Sequence, residues 1–477
     1  MGETAAPVPT DSACCDRAPL HDGLGDEAGE RDFAASLQVF LDTVLAEAHL
    51  ERRSDEHCGT GLFATRDLPH GVLIKVPRRF VLDATSAAKT LVGCQLVSGF
   101  TSEEVLLAVL AEARKPESLS AFRPYVAILP DAAPDPGSWP EAAKALLVGT
   151  DLGTALQDAE LELVALHARL AFAAPSAALE LSHLRWARGM LLSRRFPEFK
   201  LVEAVEAVSE ADEAEVGVWG ELGALVPVID FMNHHRAAVT SLKVSEASSE
   251  DVSESAVAQP PTTTTTTTAT TTTASTTTTI TTTARTTTTT TATAGQHIVV
   301  CNSSPRLAGE EVFNNYGTGK SNEELLAMYG FAEAENPADA VSLLLCGEGE
   351  QPEVFRLGRQ GLSLELWSTL LGTERAEDQA GADDDVREEK AAAALRTALV
   401  GKLAALAEGD ALLVTGDSVA RNILISVGHY RAGLRQVLEA ALAELDALTA
   451  GSEADSDEDE EAEEETAEED EAILRSG

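Results

Sequence analysis

Short apolar groups separated by turn residues characterise residues 62–82. Pro69 and Pro77 break these groups at intervals too short for a helix, so the pattern favours short β-strands. Strand-like apolar runs return at Ala224–Phe231 and at His297–Cys301. The hydrophobic pattern therefore predicts two regions of short strands, far apart in the sequence.

Helical periodicity separates the two strand regions. Thr101 and Glu104 form a capping box ahead of an apolar run, which marks the start of a helix. Apolar residues then recur at helical spacing in Glu160–Ala173 and Leu181–Leu192. We therefore predict a helical insert over about residues 101–185.

A tract of almost pure threonine occupies residues 262–293, inside the second strand region. A polar segment without alternating apolar residues cannot bury a core. Because the entropy of loop closure grows only logarithmically with length, such a tract can lengthen a hairpin connection at small cost. We predict an inserted loop between two strands and not a domain boundary.

The remaining segments differ in character from this central part. Residues 1–32 mix Pro, Gly, Ala and charge without periodicity, and we expect a disordered leader before a first domain over residues 33–331. Ala/Leu-rich helical patterns fill residues 332–450 and predict a helical domain. The acidic residues 451–477 are expected to form a disordered tail.

Net charge and cysteine usage restrict the class of protein. The formal charge is −44, which argues against a nucleic-acid or anionic-membrane surface. The six cysteines show no C-x-x-C pair, so we expect neither a disulfide framework nor a metal site. Residues 1–31 lack the apolar stretch of a secretory signal, and no uncharged apolar run approaches the ~20 residues of a membrane span. These features predict a soluble cytoplasmic or nuclear protein.

The first candidate motif is Gly-Thr-Gly-Leu-Phe-Ala at residues 59–64, which matches the G-x-G-x-x-A pattern of dinucleotide-binding folds. That fold needs a long helix directly after the glycines, whereas Pro69 and Gly71 interrupt any helix here. We interpret the segment as a glycine turn between strands, where the backbone can approach a ligand closely.

The second candidate motif is Asp-Phe-Met-Asn-His-His at residues 230–235, directly after a strand-like run. The adjacent histidines do not indicate a metal site, because neighbouring residues on a strand face opposite ways and no further ligands complete a set. The motif places polar side chains at the end of a strand, where ligands are commonly held, and by itself it is a weak signal. Exposed polar residues without a special role are the alternative interpretation.

The most specific pattern lies at residues 309–331. Tyr316 and Tyr329, two of only four tyrosines in the chain, are each followed by glycine. Ser321 caps a helical turn between them, and Phe331 follows the second tyrosine. Two ordinary buried tyrosines are the alternative interpretation.

The chain resembles the SET-domain protein methyltransferases in the order of five motifs: Gly59-x-Gly61, Asp230-x-x-Asn233-His234, Tyr316-Gly317, Ser321-Asn322 and Tyr329-Gly330-Phe331. More narrowly, it is similar to the branch typified by the Rubisco large-subunit lysine methyltransferase, over roughly residues 33–448. The resemblance implies an α+β fold, in which a SET-type β fold of short strands with a helical insert is followed by an all-helical C-terminal domain.

The resemblance also implies roles for individual residues. Tyr316 would be the catalytic tyrosine, and Phe196, Tyr329 and Phe331 would line the channel for the substrate side chain. The residues implied to bind the cofactor S-adenosylmethionine are Gly59, Thr60, Gly61, Leu62, Arg194, Asn233 and His234.

Two positions depart from the pattern of these relatives. Cys58 stands where relatives often have an acidic residue, and His235 replaces a usual serine. The first departure bears on cofactor affinity.

The resemblance implies a monomeric enzyme that methylates a lysine of a non-histone protein, which its C-terminal helical domain would bind. Two alternatives stay open. The same branch contains protein-histidine methyltransferases, and the fold could also persist as a catalytically decayed module that binds a partner.

Overall fold

A computed structural model describes residues 26–55, 59–196, 223–246, 296–345, 353–363, 366–371, 384–413 and 419–474. The threonine tract 262–293 and Cys58 lie outside the described residues, as does most of the expected leader.

The N-terminal helix α1, Glu27–Glu47, begins inside the segment that we expected to be a disordered leader. Tertiary contacts explain the earlier start. Glu30 is buried, and its carboxylate accepts the backbone N–H groups of Leu91 and Ala121 at 2.6 Å each. A polar residue therefore anchors this turn, which a search for apolar periodicity cannot detect.

Helices of the insert form the next part of the chain. The capping box at Thr101 is present, because Thr101 accepts the Glu104 N–H and Glu104 accepts the Thr101 N–H. The helices extend beyond the predicted bounds of 101–185 at both ends. Their ranges are α2 Ala84–Lys89, α3 Gly93–Leu96, α4 Ser102–Ala113, α5 Arg123–Ile128, α6 Glu141–Lys144, α7 Asp151–Ala173 and α8 Leu181–Arg194.

Among the described residues of this first part, short antiparallel strands build two three-stranded sheets and a small pair. One sheet has the order β1-β2-β8, the other has the order β3-β7-β6, and β4 pairs with β5. The ranges are β1 Leu50–Asp55, β2 Gly59–Ala64, β3 Gly71–Pro77, β4 Arg195–Phe196, β5 Ala224–Leu225, β6 Thr240–Glu246, β7 Gln296–Asn302 and β8 Glu311–Val312.

An antiparallel hairpin spans the threonine tract, but its first strand is β6 and not the predicted run Ala224–Phe231. Thr240 of β6 lies opposite Asn302 of β7, and Glu246 lies opposite Gln296, so the tract falls in the connection between paired strands. The run Ala224–Phe231 contributes only the short β5 and a 3-10 turn. The run is buried on every side, which explains why its sequence is continuously apolar and does not alternate as in a strand with one exposed face.

The C-terminal region is helical, as expected, with two differences. It also contains an antiparallel hairpin, and its last helix continues into the acidic segment that we expected to be disordered, where alanine and glutamate favour helix. The elements are α9 Asn322–Tyr329, β9 Ala340–Leu345, β10 Glu353–Gly358, a helical segment at 366–371, α10 Asp384–Leu413 and α11 Arg421–Leu474.

Two hydrophobic cores result from this arrangement. The first joins α1, the sheets and most of the insert, and the second joins the C-terminal helices to Trp139, Leu146 and Leu152 of the insert. The insert therefore packs against both cores, and the candidate site lies where they approach each other.

Candidate functional site

Two polar segments that are far apart in the sequence cross at the site. The Asn314 N–H donates to the Asn233 carbonyl at 2.8 Å, and the His235 N–H donates to the Asn314 carbonyl at 3.0 Å. This short parallel bridge places residues 230–235 beside residues 314–317. Two of the motifs recognised in the sequence are thereby brought together.

Tyr316 is held at both ends by this crossing. Its backbone N–H donates to Nδ1 of His234 at 3.0 Å, and its hydroxyl donates to the Met232 carbonyl at 2.9 Å. Burial raises the pKa of Tyr316 well above its ordinary value. The phenol therefore stays neutral and fixed in position.

Aromatic rings stack into a column around Tyr316. Ring centroids lie 5.1 Å apart for His234 and Tyr316, and 4.4 Å apart for Tyr316 and Tyr329. Phe331 lies 6.0 Å from His234 and 6.2 Å from Tyr329. Burial raises the pKa of Tyr329 to about 12, so this phenol is also neutral. The column forms an apolar wall beside the Tyr316 hydroxyl.

The turn after α9 places Tyr329 and Phe331 in this column. Gly330 ends the helix in the left-handed region, with φ at +74°. A Cβ on Gly330 would clash with the Pro134 carbonyl oxygen of the insert. Glycine is required here because of both the backbone conformation and the close approach.

Arg194 reaches the site from the last residue of α8. Its Nη1 donates to the Asp230 carbonyl at 3.0 Å and to the Asp230 carboxylate at 3.1 Å, and its guanidinium lies 4.9 Å from the centre of the Phe231 ring. Its Nε is buried and has no hydrogen-bond partner among the described residues. A donor of Arg194 is therefore left for a ligand.

The side chain of His234 also keeps an unused donor. Because Nδ1 accepts the Tyr316 N–H, the neutral ring carries its proton on Nε2. Nε2 is buried without a hydrogen bond among the described residues, 3.6 Å from Oε1 of Glu333. Burial lowers the pKa of His234, although Glu333 opposes this shift. The ring is therefore neutral at physiological pH.

Asn233 and the glycine strand meet at a carboxylate that the sequence analysis did not single out. Nδ2 of Asn233 donates to Oε1 of Glu311 at 2.7 Å. A Cβ on Gly61 would clash with the Glu311 carboxylate and lie 2.9 Å from Nδ2 of Asn233. Gly61 therefore lets the backbone of β2 approach both groups closely, as expected of a glycine motif beside a ligand.

The other expected residues lie at different distances from this centre. Gly59 begins β2 with φ at +73°, Thr60 is half-buried and Leu62 is buried in the first core. Phe196 is buried in β4, opposite Ala224, and its role in the channel stays a prediction. Among the described residues, no group of three or more His, Cys, Asp or Glu side chains could hold a metal ion.

Three residues of the site were missed in the sequence: Tyr125, Glu311 and Glu333. Glu311 lies in the Gly-Glu-Glu run before Tyr316, which is a weak signal. Tyr125 lies in the helical insert and reaches the site only through the tertiary fold, because its hydroxyl donates to Asp230 across 105 positions of sequence.

Comparisons with known proteins address the fold. No family model matches the sequence, and no curated protein matches it significantly. Among solved structures, the SET domain of LSMT bound to lysine and AdoHcy is 19% identical, with a TM-score of 0.62 over 88% of this chain and 91% of that chain.

Two further solved structures are similar. Rubisco LSMT bound to AdoMet is 19% identical, and Rubisco LSMT bound to sinefungin and monomethyllysine is 18% identical. Each has a TM-score of 0.60 and covers 88% of this chain and 92% of that chain. The expected fold class is therefore confirmed, and the chain has the SET-domain fold in the form found in Rubisco LSMT.

Proposed function

We propose that this protein is an S-adenosylmethionine-dependent protein-lysine N-methyltransferase. The observation that carries the proposal is the stacked pair of neutral tyrosines, Tyr316 and Tyr329, beside the unused donor of Arg194. An apolar aromatic wall and a cationic ligand-binding group are what methyl transfer from a sulfonium to an amine requires. The solved structures with this fold that carry AdoMet or AdoHcy support the proposal.

The described residues fit the cofactor in three respects. Arg194 Nε would donate to its carboxylate, and His234 Nε2 offers a buried donor to its remaining polar atoms. Gly61 allows the β2 backbone to lie against a ligand without a side chain in between. Bound in this site, S-adenosylmethionine would supply a methyl group activated by a positively charged sulfur.

Tyr316 has the properties of a positioning group and not of a base. Its proton already points to the Met232 carbonyl, and its raised pKa disfavours the phenolate. The oxygen can therefore accept an N–H of the incoming amine and align the nitrogen lone pair with the methyl carbon. The cofactor, held by Arg194 and His234, would supply the methyl group for the new C–N bond, and its sulfur would keep the electron pair of the C–S bond.

The amine must lose its proton before this alignment. A lysine has a pKa near 10.4 in water, and an apolar environment lowers that value because it disfavours the charged form. The rings of Tyr316, Tyr329 and Phe331 supply such an environment. The proton leaves to solvent, and the chain need not provide a catalytic base.

The aromatic column favours lysine over histidine as the target residue. The long aliphatic part of a lysine can lie along the rings of Tyr329 and Phe331, which suit an apolar chain that ends in a neutral amine. Neither tyrosine can supply a negative charge to a histidine ring, because both phenols have raised pKa values.

We also propose that the C-terminal helical region binds the protein substrate. A groove of about 540 Å³ runs between the β9–β10 hairpin and α10. Leu344 and Val354 lie exposed along it, beside an ion pair between Asp151 and Lys402. Exposed apolar side chains flanked by charges are typical of a surface that binds protein.

The function is tested by calorimetric titration of the protein with S-adenosylmethionine, followed by mass spectrometry of an extract treated with enzyme and labelled cofactor. We expect specific binding and a labelled lysine. A labelled histidine would overturn lysine methylation and show that the protein is a histidine methyltransferase. Absence of binding would indicate a decayed module and overturn the proposal.

A further inference from the structure

Tyr125 connects the helical insert to the candidate site. It lies in α5 and is completely buried, and its hydroxyl donates to Oδ2 of Asp230 at 2.9 Å. Burial raises the pKa of Tyr125, so the hydroxyl is a permanent donor. A buried phenol therefore holds a buried carboxylate beside the candidate site.

Asp230 in turn determines where Arg194 points. The same Oδ2 that accepts from Tyr125 accepts from Nη1 of Arg194 at 3.1 Å, and Nη1 also donates to the Asp230 carbonyl. The Asp230 side chain is fully buried, and the Arg194 side chain is 12% exposed. With Nη1 engaged twice by one residue, the guanidinium keeps one orientation.

The other carboxylate oxygen shows why the tyrosine matters. Oδ1 of Asp230 is buried without a hydrogen bond among the described residues, so Tyr125 and Arg194 donate to only one of the two oxygens. Without the Tyr125 hydroxyl, Arg194 is the remaining side-chain donor to this oxygen among the described residues, and the plane of the carboxylate can turn about the Cβ–Cγ bond. The guanidinium would follow, because a buried ion pair depends strongly on its geometry.

We propose that Tyr125 is a positioning residue for the carboxylate of the cofactor and that it acts through Asp230 and Arg194. The inference rests on the proposed function, because it requires that Arg194 binds this carboxylate. It extends the site into the insert, to a residue that touches neither cofactor nor substrate.

The affinities for two ligands distinguish a positioning role of Tyr125 from a purely structural role. S-adenosylmethionine carries the carboxylate, whereas 5′-methylthioadenosine shares the nucleoside and lacks the amino-acid part. Tyr125→Phe should raise the Kd for S-adenosylmethionine about tenfold and leave the Kd for 5′-methylthioadenosine unchanged, as measured by calorimetry.

Tyr430→Phe is the matched control. Tyr430 is also buried, and its hydroxyl donates to a carboxylate, Oε2 of Glu323, at 2.6 Å. Both variants should lower the thermal midpoint to a similar extent, and only Tyr125→Phe should change affinity for S-adenosylmethionine. If Tyr125→Phe does not fold, Tyr125→Met removes the same hydroxyl with a side chain that adapts to its surroundings, and it provides the same comparison of ligands.

The outcomes separate the inference from the proposed function. An unchanged Kd in the variant, or an equal rise for both ligands, would overturn the positioning role while the methyltransferase proposal stands. A wild-type protein that binds neither ligand would overturn both.

Discussion

The hydroxyl of Tyr316 is a donor to the chain's own backbone, and this determines what it can do for a substrate. Since the proton is committed to the Met232 carbonyl, only the oxygen lone pairs face an incoming group. The His234 ring fixes the other end of the residue through the backbone N–H. The contribution of Tyr316 to catalysis is therefore expected to be alignment.

Tyr316→Phe tests this role, because it keeps the ring and removes only the hydroxyl. Methyl transfer should fall by at least ~100-fold, the scale on which misalignment slows a reaction, while affinity for S-adenosylmethionine is retained. A radiolabelled transfer assay beside a thermal melt measures both effects. Near-normal transfer would remove Tyr316 from catalysis, even if the melt showed a loss of stability of about 1 kcal/mol.

Asn233→Ala should weaken the binding of S-adenosylmethionine by roughly 1–3 kcal/mol, because it leaves the Glu311 carboxylate without this donor beside the glycine strand. Isothermal calorimetry measures the change. Asn302→Ala is a suitable control, since Asn302 is a buried asparagine at the end of β7 whose amide donates to the Ser304 carbonyl. Equal affinities in the two variants would exclude Asn233 from the cofactor site.

At the scale of elements, α9 matters because it carries Tyr329 at its end. The helix is anchored at its start by a capping box, in which Ser321 accepts the Glu324 N–H and Glu324 accepts the Ser321 N–H. Asn322 also donates to Asp339. A less stable first turn of α9 should therefore displace Tyr329 in the aromatic column.

Ser321→Ala should lower the free energy of unfolding by about 1 kcal/mol and also reduce methyl transfer several-fold. The chain offers a matched control in Thr101→Ala, because Thr101 forms the same capping box at the start of α4. Both variants should lose similar stability in denaturant titrations. Only the α9 variant should lose activity, and an equal loss of activity in both would contradict the coupling of α9 to the site.

At the scale of the whole molecule, the helical insert joins the two cores. Arg431 of α11 is buried and donates to the carbonyls of Leu146 and Val148 at 3.1 and 3.0 Å. It also pairs with Asp410 of α10. A charged residue thus links the C-terminal helices to the insert, in a way that hydrophobic periodicity alone does not indicate.

Among the described residues, no helix is both long and apolar enough to cross a membrane.

The threonine tract can be tested at this scale as an insertion in the β6–β7 connection. Replacing residues 262–293 with a short Gly/Ser linker should change methyl transfer by no more than a few-fold, because loop closure depends weakly on length. A Gly/Ser linker of the original length separates the effect of length from that of composition. Loss of soluble protein or of cofactor binding with either linker would contradict the prediction.

Much of the site could be recognised in the sequence because its parts are local motifs. Asn233, His234, Tyr316 and Tyr329 each stand in a short sequence pattern, and Tyr is among the rarest residue types in this chain. The structure places residues 233–235 beside residue 314, and the roles of these residues stay a prediction. The strands β1 and β6 were missed because charged and polar residues fill them, so neither shows a continuous apolar run.

The sequence by itself predicted regions of short strands, a helical insert and a helical C-terminal region, since these depend on periodicity, while the fold class followed from the resemblance to a family. Only the tertiary structure decided how the polar groups pair. Tyr125 reaches Asp230, Glu311 reaches Asn233, and Glu30 anchors α1 through bonds between segments distant in sequence. The physical reason is that a buried polar group needs a hydrogen-bond partner. The sequence shows that the polar residue is present, but it does not show which distant residue becomes its partner.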